Sequence, residues 1–246
     1  MSVLLEVINL RKEFGGVVAV NDNNFVVEQG SRIGIIGPNG AGKTTTFNMI
    51  CGAFKPTSGK ILFQGKEIQG QKPHKISMLG IGRTFQNVRA FGSLSVYEHV
   101  LTGILAHDLK LVPTKEQRER VELILEMTNL VKFRNTTVKD LTIALQRKIE
   151  LATALGTNPK LLLLDENMAG LTYVEINETL ELLRKVNKEM GMTLIVVEHI
   201  MKVIMELCEK IIVLNYGKKI AEGNPQEVAN NKEVIEAYLG EESQYA

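Results

Sequence analysis

This sequence predicts an α/β fold: a parallel sheet covered by helices on both faces, with a helical stretch inserted into it. Three observations carry that expectation. Short apolar runs of strand length alternate with helical periodicity in the second half of the chain, the order that builds parallel sheets. A glycine-rich loop, Gly37 to Thr45, lies between the strand-like RIGII and the helix-like KTTTFNMICG. The stretch from about 87 to 155 carries almost no strand signal.

The strand-like runs are VLLEVINL, NFVVE, RIGII and KILF at 60–63, then LLLL at 161–164, TLIVV at 193–197, IIVLN at 211–215 and KKIAEG at 218–223. Among the helical segments, TKEQRERVELILEMTNL puts Val121, Ile124, Leu125 and Leu130 on roughly one face. VEINETLELLRKVNKEMG does the same with Ile176, Leu180, Leu183 and Val186, and Gly191 is its C-terminal stop. Residues 145–155 read as a further amphipathic helix. No repeat, low-complexity tract or proline-rich linker interrupts the chain.

The bulk numbers exclude several classes. With 246 residues and 44% hydrophobic content, a sizeable core can be buried. A net charge of +1 argues against a bulk electrostatic nucleic-acid binder, and 5% aromatics with no tryptophan argue against base-stacking platforms. Cys51 and Cys208 lack a metal-like spacing and are expected to be reduced thiols. Charges at Glu6, Arg11 and Lys12 come too early for a signal-peptide core, and no run approaches the length needed to cross a bilayer. The expectation is a soluble, cytoplasmic protein that reaches a membrane only by docking on another subunit.

GPNGAGKTT fits the G-x-x-x-x-G-K-[ST] pattern in the strand-loop-helix context that gives it meaning. Polyphosphate is crowded and anionic, so backbone N–H groups must wrap it closely. Gly37, Gly40 and Gly42 permit that wrap, and the following helix N-terminus adds a favourable dipole. Lys43 can reach the β- and γ-phosphates, and the Thr44 hydroxyl is placed for Mg²⁺.

LLLLDEN ends an apolar strand in two acids. Alone it would read as a solvated strand end; beside a phosphate loop it reads as the place where Mg²⁺ is held by Asp165 and water is polarised by Glu166. IVVEHI ends another strand in His199. A lone histidine there is usually structural, but in this company a γ-phosphate contact is the better reading. Asp165 lies far downstream of Lys43, and no guanine-reading N-K-x-D occurs, which sets the chain apart from a compact switch-type GTPase.

With these motifs in place, the chain resembles the ATP-binding subunits of ABC transporters over essentially its whole length. It is most similar to the group that energises branched-chain amino-acid import. The supporting strings are FGGVVAVND near the start, GIGRTFQNVRAFGSLSVYEHV at 80–100 and IAEGNPQEVANNKEVIEAYLGEE at the end. The resemblance implies a P-loop NTPase of the ABC ATPase type: a parallel core with an N-terminal antiparallel β part, about 1–86 and 157–222, a helical subdomain at about 87–156, and a helical tail at about 223–246. It implies ATP and Mg²⁺ as ligands, with Gly37, Pro38, Asn39, Gly40, Ala41, Gly42, Lys43, Thr44 and Thr45 around the phosphates and Phe14 stacked on adenine. Mg²⁺ would be held by Thr44, Gln86 and Asp165; Glu166, His199 and Lys43 would be catalytic. The expected partners are a second ATPase subunit and transmembrane permease subunits, not nucleic acid. The expected place is the cytoplasmic face of the inner membrane.

In this family two subunits pair head to tail, and a signature loop close to L-S-G-G-Q in one contacts the ATP of the other. Here it aligns with Leu141, Thr142, Ile143, Ala144 and Leu145. Thr142 keeps the serine hydroxyl. Ala144 replaces a glycine, which costs little at negative φ and about 1–2 kcal/mol in the left-handed region. Leu145 removes a glutamine and is expected to put an apolar side chain at a polar interface. Asn167 stands where the family has proline, and Thr172 where it has aspartate or asparagine in the Ala169–Thr172 loop; each is expected to loosen local order. If the altered signature is weak, a heterodimer would have one fast and one slow ATP site, and a homodimer two impaired ones. Neutral tolerance of the changes is the alternative.

Other readings stay open. One is the ATPase of a lipopolysaccharide-export system, and another is a nucleotide-binding subunit of low turnover. A soluble ABC ATPase acting on ribosomes or DNA is disfavoured by the single domain and the lack of charge excess. A docking surface is expected near 87–104, where Val88, Phe91, Leu94 and Tyr97 could form an apolar cleft.

Overall fold

The computed structural model describes residues 2–84, 91–108 and 112–242. Strands β1 (Val3–Phe14) and β2 (Val17–Glu28) form an antiparallel hairpin that turns at Gly15 and Gly16, both at positive φ. Each runs well past the apolar runs visible in the sequence, because LRKEF and VVAVND continue the pairing despite their polar residues. Next come β3 (Arg32–Ile36), helix α1 (Lys43–Ile50), β4 (Ser58–Phe63) and β5 (Lys66–Glu67). Then follow α2 (Pro73–Leu79), β6 (Ile81–Arg83), α3 (Val96–Leu105), α4 (Lys115–Met127) and α5 (Ile143–Gly156). The second half holds β7 (Leu161–Asp165), α6 (Tyr173–Met190), β8 (Thr193–Val197), α7 (Met201–Leu207), β9 (Lys210–Asn215), β10 (Lys218–Gly223), α8 (Pro225–Ala229) and α9 (Lys232–Glu242).

Among the described residues there are two sheets. One is antiparallel, ordered β2-β1-β4-β5. The other is ordered β10-β9-β3-β8-β7-β6; its strands from β9 to β6 are parallel, and β10 closes the edge antiparallel to β9. The predicted α/β class, with a parallel core and an antiparallel N-terminal part, is therefore present.

Every residue of β7 is buried, and its leucines alternate between two cores with the period of a strand. Leu161 and Leu163 enter the core shared with the antiparallel sheet and with Phe47 of α1. Leu162 and Leu164 enter the opposite core, with Leu180 and Leu183 of α6 and Val203 and Ile204 of α7. A third cluster lies mainly between helices: Val96 and Val100 of α3, Val121 and Leu125 of α4, Ile149 and Ala152 of α5. There α3 and α5 come so close that a Cβ on Gly103 would lie 2.1 Å from the Thr153 carbonyl oxygen.

Three elements had weak sequence signals. Helix α2 buries only Ile76 and starts at Pro73. Strand β6 has three residues, and Gly82 in it packs against Pro159. Helix α3, short and rich in β-branched residues, opens on a capping box, Ser95 with Glu98, and buries Val96 and Val100. The helices read from periodicity match closely: α4 is capped by Thr114, and α6 ends at Gly191, whose φ is 62°.

Candidate nucleotide-binding and hydrolytic site

The glycine loop lies between β3 and α1, and its backbone is as tight as its letters suggest. Gly42 is the N-cap of α1 at φ 95°, and a Cβ there would lie 2.4 Å from the Ala19 carbonyl oxygen of β2. At Gly37 a Cβ would meet the Leu214 carbonyl oxygen at 2.0 Å. The loop is thus clamped between β2 and β9, and Gly217 N–H donates to the Ala41 carbonyl at 3.1 Å. The Lys43 side chain is buried and curls over the loop, its Nζ donating to the carbonyls of Gly37 at 2.7 Å and Pro38 at 2.9 Å.

Beside the loop, β7 and β8 end level with one another, Asp165 opposite Val197 in the parallel register. Asp165 is 1% exposed, and its Oδ2 accepts from Arg83 Nη2 at 2.7 Å. Burial pushes its carboxyl above the usual range, and the Arg83 guanidinium opposes that. Its Oδ1 is buried with no hydrogen-bond partner among the described residues. Asp165 and Thr44 line the same cleft, about 620 Å³, which continues past Asn48 and Arg83 to Phe91 and His99.

Glu166 sits at φ 49°, turned out of the strand, and its N–H donates to the Val197 carbonyl at 2.9 Å. Its Oε1 lies 2.8 Å from His199 Nε2. Arg147 of α5 donates from Nη1 to the Glu166 carbonyl at 2.6 Å. Behind this pair Glu198 is almost fully buried and accepts from Met168 N–H at 2.8 Å. Burial raises its carboxyl to about 7.

The structure brings Lys43, Thr44, Asp165, Glu166 and His199 to one end of the parallel sheet. Phe14 stands at the end of β1, about two-fifths exposed, edge-on to Phe54 at 5.3 Å with Lys12 Nζ 4.7 Å from its ring centroid. Gln86 and Val88 lie outside the described residues. Arg83, Arg147 and Glu198 were given no role from the sequence. Arg83 falls inside the quoted GIGRTFQ and Glu198 inside IVVEHI, so the strings were visible but their three-dimensional partners were not.

The aligned signature is a helix start. Thr142 is the N-cap of α5, and its Oγ1 accepts from Leu145 N–H at 3.4 Å. Ala144 is inside the helix at negative φ, so the alanine carries little backbone cost. Ile143 is exposed, whereas Leu145 is half-buried and packs against the helical cluster. From the sequence Leu145 is expected at a polar interface with the second subunit; within the single chain its side chain is partly covered by the helical cluster.

Thr172 is also not a weak point. It caps α6 in a capping box with Glu175, whose Oε2 accepts from Thr172 N–H and Oγ1, each at 2.8 Å. Asn167 is 3% exposed with its Nδ2 unpartnered among the described residues, an arrangement that costs about 1–3 kcal/mol. Of the residues expected to form an apolar docking cleft, Phe91 lies exposed at the lip of the 620 Å³ cleft. Tyr97 instead packs on the helical cluster under Arg134, and Leu94 links to residue 138 through its carbonyl.

Comparison with known proteins gives a consistent picture. Residues 20–169 match the ABC transporter family, and residues 218–243 match the branched-chain amino acid ATP-binding cassette transporter family. The chain is 40% identical to the high-affinity branched-chain amino acid transport ATP-binding protein BraF of Pseudomonas aeruginosa, over 97% of this chain and 98% of that one. It is 32% identical to the lipopolysaccharide export system ATP-binding protein LptB of Haemophilus influenzae, over 95% and 96% of the two chains. An ATP-binding cassette of an ABC transporter, solved in its ADP conformation, superposes with a TM-score of 0.89 at 27% identity over 98% of this chain and all of that one. A bacterial ABC transporter cassette of dimeric structure does so with a TM-score of 0.82 at 26% identity, over 90% and 99% of the two chains.

Proposed function

Because the chain belongs to the ATP-binding subunits of ABC transporters, which are ATPases, we propose that it powers import of branched-chain or related amino acids as one half of an ATPase pair seated on transmembrane permease subunits. The observation that carries the hydrolytic part is the 2.8 Å contact between Glu166 and His199 at the strand ends beside the glycine loop. The cargo is supported by the stronger similarity to the amino-acid transport relative than to the lipopolysaccharide one, and by the C-terminal match. No helix among the described residues is long and apolar enough to cross a membrane. As a subunit of this family, the chain would lie at the cytoplasmic face through its permease partners.

In this reading the N–H groups of residues 37–45 and Lys43 Nζ bind the ATP phosphates. Phe14 offers its exposed ring to adenine. Thr44 Oγ1 and the unpartnered Asp165 Oδ1 are hard oxygen donors on one cleft, a fit for Mg²⁺, with Gln86 as the further ligand. Mg²⁺, when bound, neutralises charge on the phosphate oxygens. Glu166 polarises the attacking water, and His199 holds one oxygen of Glu166 while facing the γ-phosphate. The helices α3, α4 and α5 belong to the helical subdomain that meets the permease, and the N-terminus of α5, Thr142 to Leu145, faces the ATP of the second subunit.

We place this chain in a heterodimer, with its own complete phosphate loop, Glu166 and His199 serving one ATP and its altered signature the other. The test has two parts. Deleting the chain from its host should abolish uptake of labelled leucine, with rescue by the wild type and not by Glu166→Gln; unchanged leucine uptake would overturn the cargo. The mass of purified Glu166→Gln with Mg²⁺ and ATP should stay monomeric alone and rise only with the second subunit. A dimer formed by this chain alone would overturn the heterodimer.

A further inference from the structure

Asp165 and Thr44 stand on elements that do not touch within the parallel sheet. Thr44 is on α1, which follows β3, and Asp165 ends β7; β8 lies between β3 and β7. A metal held by both needs the spacing between them fixed, and one side chain crosses the gap. Arg83, at the end of β6, donates from Nη2 to Asp165 Oδ2 at 2.7 Å. From Nη1 it donates to Asn48 Oδ1 at 2.6 Å and contacts Cys51 Sγ at 3.0 Å, both toward the C-terminal end of α1, whose first turn carries Thr44. The guanidinium carbon lies 5.9 Å from the Phe47 ring centroid, and the side chain is 9% exposed. The planar fork is therefore held on three sides, and it engages Oδ2 of Asp165 while Oδ1 stays without a hydrogen-bond partner.

We propose that Arg83 is a positioning residue for the metal site: it ties Asp165 to α1 and orients the carboxylate so that Oδ1 faces the Thr44 side of the cleft. This rests on the assignment of Asp165 as a Mg²⁺ ligand. An arginine suits the task and a lysine does not. One ammonium on a flexible stem cannot face Asp165 and Asn48 together in a fixed plane.

The test is ADP binding measured by calorimetry with and without Mg²⁺ on the full chain. The readout is the ratio of the two affinities, which a merely structural defect would not change selectively. Asp165→Asn serves as reference and should remove the Mg²⁺ enhancement. Arg83→Met should reduce the enhancement about 10-fold to 100-fold with Mg²⁺-free ADP affinity unchanged, the size expected for losing a residue that orients a metal ligand. Arg83→Lys should fall between the two. Asn48→Ala, which leaves the ion pair but removes the far anchor, should also reduce the enhancement. If Asp165→Asn keeps the enhancement, the metal assignment fails. If it loses the enhancement while Arg83→Met and Asn48→Ala keep theirs, the assignment stands and the role of Arg83 is overturned. Equal loss of affinity with and without Mg²⁺ in the Arg83 and Asn48 variants overturns it too, since that is loss of fold.

Discussion

Glu166 Oε1 and His199 Nε2 meet at 2.8 Å although they are 33 residues apart in the chain. The parallel register makes this possible. Asp165 is level with Val197, so Glu166, one residue past β7, and His199, two residues past β8, leave the same end of the sheet side by side. Glu166 leaves at φ 49°, a conformation uncommon for a non-glycine residue, with its N–H bonded to the Val197 carbonyl. Its carboxylate is thereby aimed at the same sheet end as Lys43.

Replacing Glu166 by Gln should lower the steady-state ATPase rate by about 10²–10⁴-fold while leaving ATP affinity within a few-fold, the mark of a lost general base. His199→Ala should also lower kcat. A Glu166→Gln enzyme with wild-type turnover would remove Glu166 from the mechanism.

Gly42→Ala should abolish nucleotide binding and destabilise the fold. Gly42 is at φ 95°, and a Cβ would press on the Ala19 carbonyl at 2.4 Å. Left-handed strain alone costs about 1–2 kcal/mol, and the clash adds to it. Thermal unfolding and titration with a fluorescent ADP analogue check both parts. Gly40→Ala has no such contact within 4 Å and should be milder.

Glu198 predicts a pH dependence. Burial raises its carboxyl to about 7 in the folded state, above the 4.5 of an exposed glutamate. Between these values the folded protein holds more proton than the unfolded chain. The stabilisation is therefore fully present below pH 4.5, falls as pH rises, and is lost above about 7. Glu198→Gln keeps an acceptor for Met168 N–H without the charge. Denaturant unfolding at pH 5 and pH 8 should show a fall in wild-type stability that is smaller in the variant by about 2–3 kcal/mol.

Leu145→Gln tests the signature. Leu145 packs half-buried against the helical cluster, so the polar replacement should cost about 1 kcal/mol of stability or more. If the apolar residue also weakens the loop as a phosphate clamp, the variant should raise turnover at the second subunit's ATP site. Single-turnover hydrolysis, with the second subunit's own phosphate loop intact and this chain's Glu166 disabled, measures that site alone.

Much of this protein was legible in its sequence because its chemistry is local in the chain. The glycine loop requires positive φ and close backbone approach, so its letters announce it; Gly37 and Gly42 are flanked by carbonyls at the distances that make any other residue clash. The uninterrupted apolar run of β7, its residues entering two different cores, marks a strand covered on both faces and places Asp165 at its end. The amphipathic faces of α4 and α6 were equally plain. What tertiary structure alone decided is every relation between residues far apart in the chain. Nothing in GIGR says that Arg83 will cross from an edge strand to Asp165 and Asn48, because that depends on the strand order β3-β8-β7-β6. Nothing in IVVEHI says that Glu198 will be buried and protonatable while its neighbour His199 faces solvent and Glu166. The altered letters at 142–145 left a weakened loop and a tolerated variant both open; the structure makes them a helix N-terminus with Ala144 at negative φ and Leu145 half-buried. Alternation and propensity are written along one strand or helix; pairing, burial and ion-pair partners follow from how those elements stack.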